Sequence, residues 1–276
     1  MLDNPPPSYS ALKPLIPHLE RALGAWIVPA LGFSISPNLP GYEFPLLKRL
    51  FESYLPVMRR YANEVHDLIF SPKLEAVPQQ EIDAITPFWG NDYFHPGDAR
   101  LAYAVVARYR PATIIEVGCG HSTRFMRRAI QDYETRTRLV CIDPAPRAPI
   151  AQIADEIHPI SCTSVDPTLF DCLKAGDILF VDGSHLVMNG SECTHLFLNV
   201  IPRLPDGVWV HLHDVFLPYD YPYDLHISCR YNEQYLVAML FLYGQDWVPV
   251  LPIFYGYQMG ILPHGGGSFW MRKGIK

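Results

Sequence analysis

Residues 113–124 place an acid, a glycine turn and hydroxyl side chains in an order that can create a ligand site. The apolar run predicts a short strand that carries Glu116 close to its end, and Gly118 and Gly120 then form a tight turn. A Ser-Thr pair can open the helix that follows. Such a unit lets a ligand approach bare backbone at the carboxyl edge of a parallel sheet. We expect a ligand-binding turn here, and a turn that only connects strand to helix is the alternative.

The next predicted strand, 138–142, is followed directly by Asp143. An acid at a strand end about 20 residues after a glycine turn usually binds ribose hydroxyls. Here the interval is somewhat longer, which fits a full helix between the two strands. Thr123 occupies the position where a dinucleotide-binding fingerprint has its third glycine, and this departure argues against NAD as the ligand.

A second group of chemically competent residues follows the predicted strand 177–181. Asp182 stands at the carboxyl end of this strand, and His185 lies in the loop beyond it. An acid at a strand end can hold a hard metal ion, and a nearby histidine can take a proton near neutral pH. A capping aspartate and a hydrogen-bonded surface histidine are the alternative interpretation.

The strand predicted at 207–212 also ends in residue types that bind metals. Alternation puts His211 and His213 on the same side of the strand, with Asp214 at its mouth. In a parallel sheet this mouth opens beside Asp182, so we expect Asp182, His213 and Asp214 to converge on one divalent cation. Mixed histidine and carboxylate ligands fit a transition metal, whereas carboxylates and waters alone would fit magnesium. His211, further back, is better interpreted as a buried, hydrogen-bonded core histidine.

The elements that must position these residues alternate between strand and helix from about residue 95 onward. The predicted strands are 113–117, 138–142, 157–162, 177–181 and 207–212, and the predicted helices are 98–109, 122–132, 150–155, 167–174, 190–201 and 231–243. This alternation predicts a Rossmann-like, doubly wound α/β fold with a mostly parallel sheet. Apolar segments at 247–254 and 268–272 add a C-terminal antiparallel hairpin, and we place the sheet domain at 95–276.

Residues 1–94 differ from the rest because prolines interrupt them and they carry few strand signals. An apolar stripe over 46–70 predicts a helix, and Pro56 is expected to kink or divide it. We interpret 1–94 as a helical N-terminal cap or as an arm for self-association, so the chain is compatible with a homo-oligomer.

The composition argues against several classes of function. With 276 residues and a formal net charge of −6, the chain lacks the clustered Lys and Arg that nucleic-acid phosphates require. The six cysteines include no C-x-x-C pair, which disfavours a zinc knuckle and fits reduced thiols in a cytoplasmic protein. No run of about 18 apolar residues predicts a membrane span, and the N-terminus lacks the basic start and apolar run of a signal peptide.

A loop rich in aromatic and acidic residues follows the last of these strand ends. It covers 213–228, with the dense stretch FLPYDYPYD, and Tyr231 and Tyr235 come shortly after it. Loops on a rigid α/β scaffold commonly carry specificity, and rings beside carboxylates are a common way to bind a polyhydroxylated ligand. A packing loop without a ligand is the alternative. The glycine run 265–267 is expected to be a hairpin turn, because no helix start follows it that could bind phosphate.

Together these residues resemble class I S-adenosylmethionine (SAM)-dependent methyltransferases over about 95–275. The turn with its preceding acid, EVGCG, is similar to the family's first motif, E/D-x-G-x-G, which faces the methionine part of SAM. Asp143 matches the acid that holds the SAM ribose, and the stretch 164–166 lies where such enzymes contact adenine. The resemblance implies SAM as the cofactor, bound by Glu116, Gly118, Gly120, His121, Ser122, Asp143, Val165 and Asp182.

The segments VDGSH, PRLPDGVWVHLHDVFLPYDYP and NEQYL resemble a bacterial branch that is grouped as methyltransferase family 24. The Asp182-x-x-His185 spacing with Asp214 is also similar to metal-dependent sugar O-methyltransferases of the macrocin type. That resemblance implies Asp182 and Asp214 as magnesium ligands and His185 as the catalytic general base. Position 213 departs from the usual pattern, because most of those enzymes have a carboxylate there and only some have a histidine, as this chain does at His213.

The function expected from the sequence is methyl transfer from SAM to a hydroxyl of a small-molecule acceptor, in particular a sugar or similar polyol. Mg²⁺ or another divalent metal on Asp182, His213 and Asp214 would assist, and His185 would be the catalytic base. Two alternatives stay open. The His/Asp cluster also suits metal-dependent hydrolysis or oxidation, with the glycine turn binding another nucleotide. A SAM-fold module without catalysis, serving in assembly, is the other.

Overall fold

The computed structural model describes residues 41–222, 225 and 229–274, together with two short strands near the N-terminus. These strands, β1 (Trp26–Val28) and β2 (Phe33–Ile35), pair antiparallel as a separate two-stranded sheet. Few strands are expected from the sequence in this region, so this ribbon is an addition to the predicted helical cap or arm. The remainder of 1–40 lies outside the described residues.

A seven-stranded sheet forms the centre of the described structure. Its strands are β3 (Thr113–Val117), β4 (Arg138–Ile142), β5 (Glu156–His158), β6 (Ile178–Val181), β7 (Trp209–Leu212), β8 (Trp247–Pro252) and β9 (Phe269–Lys273). The spatial order is β5-β4-β3-β6-β7-β9-β8. The first five in this order run parallel, and β9 runs antiparallel to both of its neighbours. The predicted Rossmann-like, mostly parallel sheet with a C-terminal antiparallel hairpin is confirmed.

Helices cover both faces of this sheet. They are α1 (Pro45–Ser53), α2 (Leu55–Ile69), α3 (Pro72–Glu75), α4 (Pro96–Tyr109), α5 (His121–Asp132), α6 (Glu192–His195), α7 (Gln234–Tyr243) and α8 (Ile253–Gln258). Single 3₁₀ or π turns occupy Cys162–Ser164, Pro167–Cys172, Leu196–Val200 and Ile201–Arg203. Within the described part of the chain, no helix has the length and apolar character needed to cross a membrane.

Prolines explain two differences between the predicted and the observed elements. The helix predicted at 46–70 is divided at Tyr54 into α1 and α2, and Pro56 lies in the first turn of α2, where a missing N–H is tolerated. The strand predicted at 157–162 is only three residues long, because Pro159 follows it and cannot donate to the sheet.

Other predicted helices are shorter or of another type. The segment 150–155 forms turns, and 167–174 holds only a 3₁₀ helix, which Asp166 caps by accepting the N–H of Thr168 at 2.9 Å. The helix predicted at 190–201 consists of α6 and the tighter and wider turns after it. Helix α8 was not predicted, because short apolar runs do not distinguish strand from helix.

Two hydrophobic layers enclose the sheet, because successive strand residues point to opposite faces. In β3, Ile114 faces the layer that includes α2, α4 and α5, whereas Ile115 faces the layer that includes α1 and α7. Every residue of β6 is buried, as expected of a strand covered on both faces. Polar chemistry is therefore confined to the edges of the sheet where the strands end.

The described part of the N-terminal region belongs to both layers. Phe51 in α1 is fully buried, and its ring lies 5.4 Å from that of Phe241 in α7. On the opposite face, Tyr61 in α2 meets Trp209 of β7 edge-on at 5.4 Å. Helices α1 and α2 thus share their core with the sheet.

Phe51→Ala should destabilise the whole described fold rather than release one helix. Removing a fully buried phenylalanine ring costs about 3–5 kcal/mol of free energy of unfolding, because lost contacts and a new cavity add together. Urea unfolding followed by circular dichroism measures this. Leu46→Ala, at a position of α1 that is 64% exposed, is the matched control and should cost less than about 0.5 kcal/mol. Equal costs for the two variants would contradict a shared core.

Candidate functional site

The glycine turn after β3 joins two strand ends of the sheet. Gly118 has a φ of +81°, which glycine adopts without strain, and a Cβ there would overlap the main-chain oxygen of Asp182. The N–H of Asp182 donates to the carbonyl of Val117 at 2.8 Å, so the ends of β3 and β6 are in direct contact. Any side chain at position 118 would therefore push apart the two strands that carry the predicted site.

Glu116 braces this turn from inside the protein. Its buried carboxylate accepts hydrogen bonds from Ser122 Oγ and Thr123 Oγ1, each at 2.6 Å, and Thr123 Oγ1 accepts the N–H of Gly120 at 2.9 Å. Burial raises the pKa of Glu116 to about 7, although the two hydroxyls act against it. Glu116 does not line the adjacent cavity. Glu116 therefore supports the turn from inside the protein, and the contact with a cofactor predicted for it stays a prediction.

A cavity of about 300 Å³ opens beside the turn and the ends of β4 and β6; we call it the turn cavity. Among the residues predicted to bind a cofactor, those that line it are Gly118, Gly120, His121, Ser122, Asp143 and Asp182. Val165 is buried and is not part of this lining, whereas Ser161 and Cys162 are. The turn that precedes Val165 therefore lines the cavity, and the cofactor contact predicted at Val165 stays a prediction.

Asp143 and His121 shape two walls of the turn cavity. One carboxylate oxygen of Asp143 accepts the N–H of Cys119 and the other accepts the N–H of Ala145, both at 2.7 Å. His121 begins α5 and stacks on Tyr93, with ring centres 6.1 Å apart and planes 9° from parallel. Burial lowers the pKa of His121, so its ring is neutral at pH 7. The cavity thus combines an acid with a flat aromatic surface.

A second cavity, of about 600 Å³, lies beside the first; we call it the acid cavity. It shares Tyr93, Arg147 and Asp182 with the turn cavity, so Asp182 faces both. Carboxylates, imidazoles, aromatic rings and a glycine run line the rest, and the residues that matter here are Asp98, His185, His213, Asp214, Phe216, Tyr231, Phe254, Tyr257 and 265–267.

His185 connects the two predicted metal-binding aspartates to a further acid. Its Nε2 lies 3.2 Å from Oδ1 of Asp182 and 3.8 Å from Oδ2 of Asp214. Its Nδ1 lies 2.9 Å from Oε2 of Glu233, whose side chain is 2% exposed and stands at the start of α7. Because a carboxylate only accepts, His185 donates its Nδ1 proton to Glu233 and directs Nε2 toward the aspartates.

His213 also lies beside a further buried acid, although no hydrogen bond joins the two. Its Nδ1 lies 3.6 Å from an oxygen of Asp182 and 3.6 Å from an oxygen of Asp214, and its Nε2 lies 3.7 Å from Oδ2 of Asp98. Asp98, in the first turn of α4, is completely buried, and its Oδ1 accepts the N–H of Ser268 at 2.7 Å. Within the described residues, Asp98 Oδ2 and His213 Nε2 have no hydrogen-bond partner.

Imidazolium charges balance the carboxylates of this cluster. Burial alone would lower the pKa of His185, but its bonds to Asp182 and Glu233 raise that pKa to about 10. Burial would likewise lower the pKa of His213, and Asp182 and Asp214 raise it well above its usual value. Burial would raise the pKa of either aspartate, but the two histidines hold both below the usual range. The protonation of each imidazole therefore depends on the charge of the neighbouring aspartates, and the reverse.

The donor atoms of Asp182 and of Asp214 each lie at a distance from Nδ1 of His213 that fits a shared divalent cation. Their 3.6 Å separations are too long for hydrogen bonds, whereas atoms that share one ion at bonds of about 2.1 Å lie roughly 3–4 Å apart. Carboxylate oxygens with an imidazole nitrogen are a ligand set that divalent metals accept. The fold thus places His213 near both aspartates. The three donor atoms do not all lie within 4.8 Å of one another, so a single ion would have to draw the two aspartates closer together. That all three residues bind one metal stays a prediction.

His211 lies outside this cluster, in the core. Its Nε2 is 2.9 Å from Ser268 Oγ, and its ring stacks on Phe180 with centres 3.7 Å apart and planes 13° from parallel. Burial holds the pKa of His211 well below the usual value, so the ring is neutral. This is the buried, hydrogen-bonded histidine that the sequence favours.

Three parts of the site were missed from the sequence: Asp98, Glu233 and the role of the glycine run 265–267. A Cβ at Gly266 would overlap the carboxylate of Asp98, so the run lets main chain pass directly beside the acids. It lies in the connection between α8 and β9, as the predicted hairpin turn requires. The available signals were an acid in an otherwise apolar helix start and three consecutive glycines, and each has a common local explanation.

The aromatic loop is used partly for packing and partly to line the acid cavity. The hydroxyl of Tyr221 accepts the N–H of Gln234 at 3.0 Å, which ties the loop to α7. Phe216 and Tyr231 instead line the acid cavity. The packing interpretation therefore holds for Tyr221, whereas a ligand contact of Phe216 and Tyr231 stays a prediction. Parts of the loop lie outside the described chain.

Comparison with known families now identifies the kind of domain. A family-24 model described as a methyltransferase domain matches residues 115–215. The match spans the glycine turn, Asp143, Asp182 and the His213-Asp214 pair. It confirms the resemblance of residues 115–215 to class I SAM-dependent methyltransferases. No curated protein matches the chain.

Three solved structures illustrate the similarity. The SAH-bound methyltransferase PaMTH1 of Podospora anserina is 15% identical, with 87% of this chain and 99% of that chain covered and a TM-score of 0.43. The O-methyltransferase TomG of Streptomyces achromogenes, in complex with SAM, is 15% identical, with 75% and 91% covered and a TM-score of 0.41. MycE, from the mycinamycin pathway and in complex with Mg, SAH and mycinamycin VI, is 14% identical, with 77% and 54% covered and a TM-score of 0.40.

Glu116→Gln should change how the stability of the protein depends on pH. A buried acid whose pKa is raised from 4.5 to about 7 binds its proton more tightly in the folded than in the unfolded state. Its contribution to stability is complete below the unfolded pKa and is lost as the pH rises through the folded pKa. Glutamine does not titrate, so the free energy of unfolding of the variant relative to wild type should rise with pH, by up to about 3 kcal/mol.

Urea unfolding of both proteins at pH 5 and pH 8, in EDTA, measures this difference. Glu52→Gln, at an exposed position of α1, is the matched control and should show no such trend. A stability difference between Glu116→Gln and wild type that is the same at both pH values would contradict the buried, proton-binding role.

Proposed function

We propose that this protein is a SAM-dependent O-methyltransferase that acts on a hydroxyl of a small polyhydroxylated acceptor such as a sugar, assisted by a divalent cation. The observation that carries the proposal is the meeting of the two cavities at Asp182. Asp143 and the glycine turn bound one cavity, and His185 and Asp214 bound the other. A donor in the first and an acceptor in the second would face each other there, as direct group transfer requires.

The turn cavity suits the chemistry of SAM. When bound, SAM supplies a methyl group on a positively charged sulfur. Asp143 and Asp182 give the cavity a negative potential that favours a cationic ligand, and strand-end acids also bind ribose hydroxyls. The stacked rings of His121 and Tyr93 offer an aromatic surface near the turn. These features support SAM over a dianionic nucleotide.

Asp182, His213 and Asp214 are the residues that would hold the cation. A divalent ion bound there would lower the pKa of an acceptor hydroxyl and take up the negative charge of the two aspartates. With that charge taken up, His185 retains Glu233 as its charged partner, and its Nε2 is available to accept a proton.

In the proposed reaction His185 removes the proton from the acceptor hydroxyl. The acceptor oxygen forms a bond to the methyl carbon while the carbon–sulfur bond breaks, and the bonding electrons remain on sulfur. Glu233 holds the imidazole by its Nδ1 proton and offsets the positive charge that develops on the ring. Since no covalent bond to the enzyme forms, positioning by the two cavities supplies much of the rate.

The acid cavity favours an acceptor that is polar on one side and apolar on another. Carboxylates and imidazoles converge at the end near Asp182, and the rings of Phe216, Tyr231 and Phe254 line other parts of the wall. Hydroxyls of a polyol can pair with the former while its C–H groups pack on the latter. An acceptor without hydroxyls would leave buried acids unpaired and lose affinity.

Calorimetric titration with SAM tests the cofactor. We expect micromolar binding that survives EDTA, because the turn cavity needs no metal. Asp143→Asn should weaken binding about tenfold or more, since an amide cannot accept both main-chain hydrogen bonds that fix the cavity wall. Asp67→Asn, whose side chain is fully exposed on α2, is the matched control. If wild type binds divalent metal but no SAM, the metal-dependent hydrolase or oxidase becomes the better proposal.

Asp182→Asn should strongly slow methyl transfer while leaving much of the SAM affinity. Wild type, supplied with SAM, a divalent metal and a panel of sugars and polyols, should form S-adenosylhomocysteine. The variant should be on the order of 100-fold slower, because it lacks the charged oxygen that His185 and His213 both face. Asp67→Asn again serves as the control. Turnover retained by Asp182→Asn would remove the basis for the metal role.

A further inference from the structure

We propose that the site selects a transition-metal ion over magnesium, because the buried carboxylate of Asp98 presents His213 to that ion as a nitrogen ligand. The inference rests on the proposed function in one respect, namely that Asp182, His213 and Asp214 hold a cation. It adds the class of the ion and names Asp98 as the positioning residue that determines it.

One carboxylate oxygen of Asp98 is engaged in a hydrogen bond, and the other faces His213. Its Oδ1 is taken by the N–H of Ser268 at 2.7 Å, and its Oδ2 has no hydrogen-bond partner among the residues described. The nearest imidazole nitrogen to that oxygen is His213 Nε2, at 3.7 Å. When a cation displaces the Nδ1 proton of this imidazolium, the proton on Nε2 remains beside Asp98, because a carboxylate only accepts, and the lone pair of Nδ1 then faces the cation between Asp182 and Asp214.

The surroundings keep the Asp98–His213 pair in place. Asp98 lies in the first turn of α4. The main chain at Gly266 passes so close to its carboxylate that no side chain would fit at position 266. The ring of Phe94, just before α4, lies 5.5 Å from the ring of His213. One support comes from the segment that starts α4 and the other from the connection between α8 and β9, so the orientation of His213 is built into the fold.

The donor set then determines the class of ion. Imidazole nitrogen suits cobalt, nickel, iron and zinc, whereas magnesium prefers oxygen ligands and retains waters. A carboxylate behind the imidazole raises the basicity of the ligating nitrogen and fixes its tautomer. The pair formed by Asp98 and His213 has both properties, so this site should discriminate against magnesium.

Titration of the metal-free full chain with Co²⁺ alone and with Mg²⁺ alone tests the inference. The measured quantity is the ratio of the two affinities, and we expect wild type to bind Co²⁺ at least about 100-fold more tightly. Asp98→Asn should weaken Co²⁺ binding about 10- to 100-fold and lower this ratio. Its amide oxygen can still accept the N–H of Ser268, but its NH₂ group donates to His213 Nε2 and moves the ring proton to Nδ1.

Glu233→Gln is the matched control, because it removes one buried negative charge from the same cluster and contacts His185 rather than His213. It should weaken both ions alike and leave the ratio unchanged. An unchanged ratio in Asp98→Asn would overturn the inference, and so would similar affinities of wild type for Co²⁺ and Mg²⁺. If Asp98→Asn does not fold, the ratio for wild type decides the question alone. Neither SAM nor an acceptor is needed, so a protein that binds SAM without preferring Co²⁺ would refute this inference and leave the proposed function intact.

Discussion

The concentration of charge at the carboxyl edge of the sheet is the constraint on which the rest of this structure depends. Carboxylates of Asp98, Asp182, Asp214 and Glu233 surround two imidazoles there, and none of these acids exposes more than 21% of its side chain. Ionised acids this close together are unfavourable in a buried site unless cations and hydrogen bonds compensate them. The surrounding elements must therefore hold the compensating groups in fixed positions.

The fold meets this constraint with its backbone as well as with its side chains. The two outer acids stand at helix N-termini, Asp98 in the first turn of α4 and Glu233 at the start of α7, where the helix dipole favours negative charge. The two inner acids stand at strand ends against which bare main chain packs closely, with Gly118 beside Asp182 and Gly267 beside Asp214. Hydrophobic layers on both faces of the sheet, including α1 and α2, keep this edge rigid.

The sequence predicts the inner part of the site better than the outer part, and the reason is topological. Asp182, His213 and Asp214 follow strands, and parallel strands end at one edge, so a correct reading of the strands already places these residues together. Asp98 and Glu233 lie on helices, and their neighbours depend on how those helices dock, which no local pattern encodes. Prolines were informative in the same local way, since Pro56 marks where one predicted helix becomes two.

In the glycine turn after β3, the sequence identifies the important acid, Glu116, but not the hydroxyl side chains that it contacts. Glu116 precedes the turn as the family motif requires, yet its side chain points into the protein, toward Ser122 and Thr123. The hydroxyl of Thr123 then fixes Gly120 by accepting its N–H. Position 123, which departs from the dinucleotide fingerprint, is therefore occupied by a residue that stabilises this particular turn.

Position 213 holds a histidine where most macrocin-type enzymes have a carboxylate. The consequence depends on two effects that act over different distances, namely the charge near the cation and the type of atom that contacts it. A carboxylate there would contribute both an oxygen ligand and a negative charge. His213 contributes a nitrogen ligand, while the negative charge lies on Asp98, 3.7 Å beyond the far side of the ring. Coulomb attraction weakens only gradually with distance, so a cation would still experience Asp98, whereas the preference for nitrogen or oxygen acts only at direct contact. The exchange should therefore alter which cation binds more than it alters whether a cation binds.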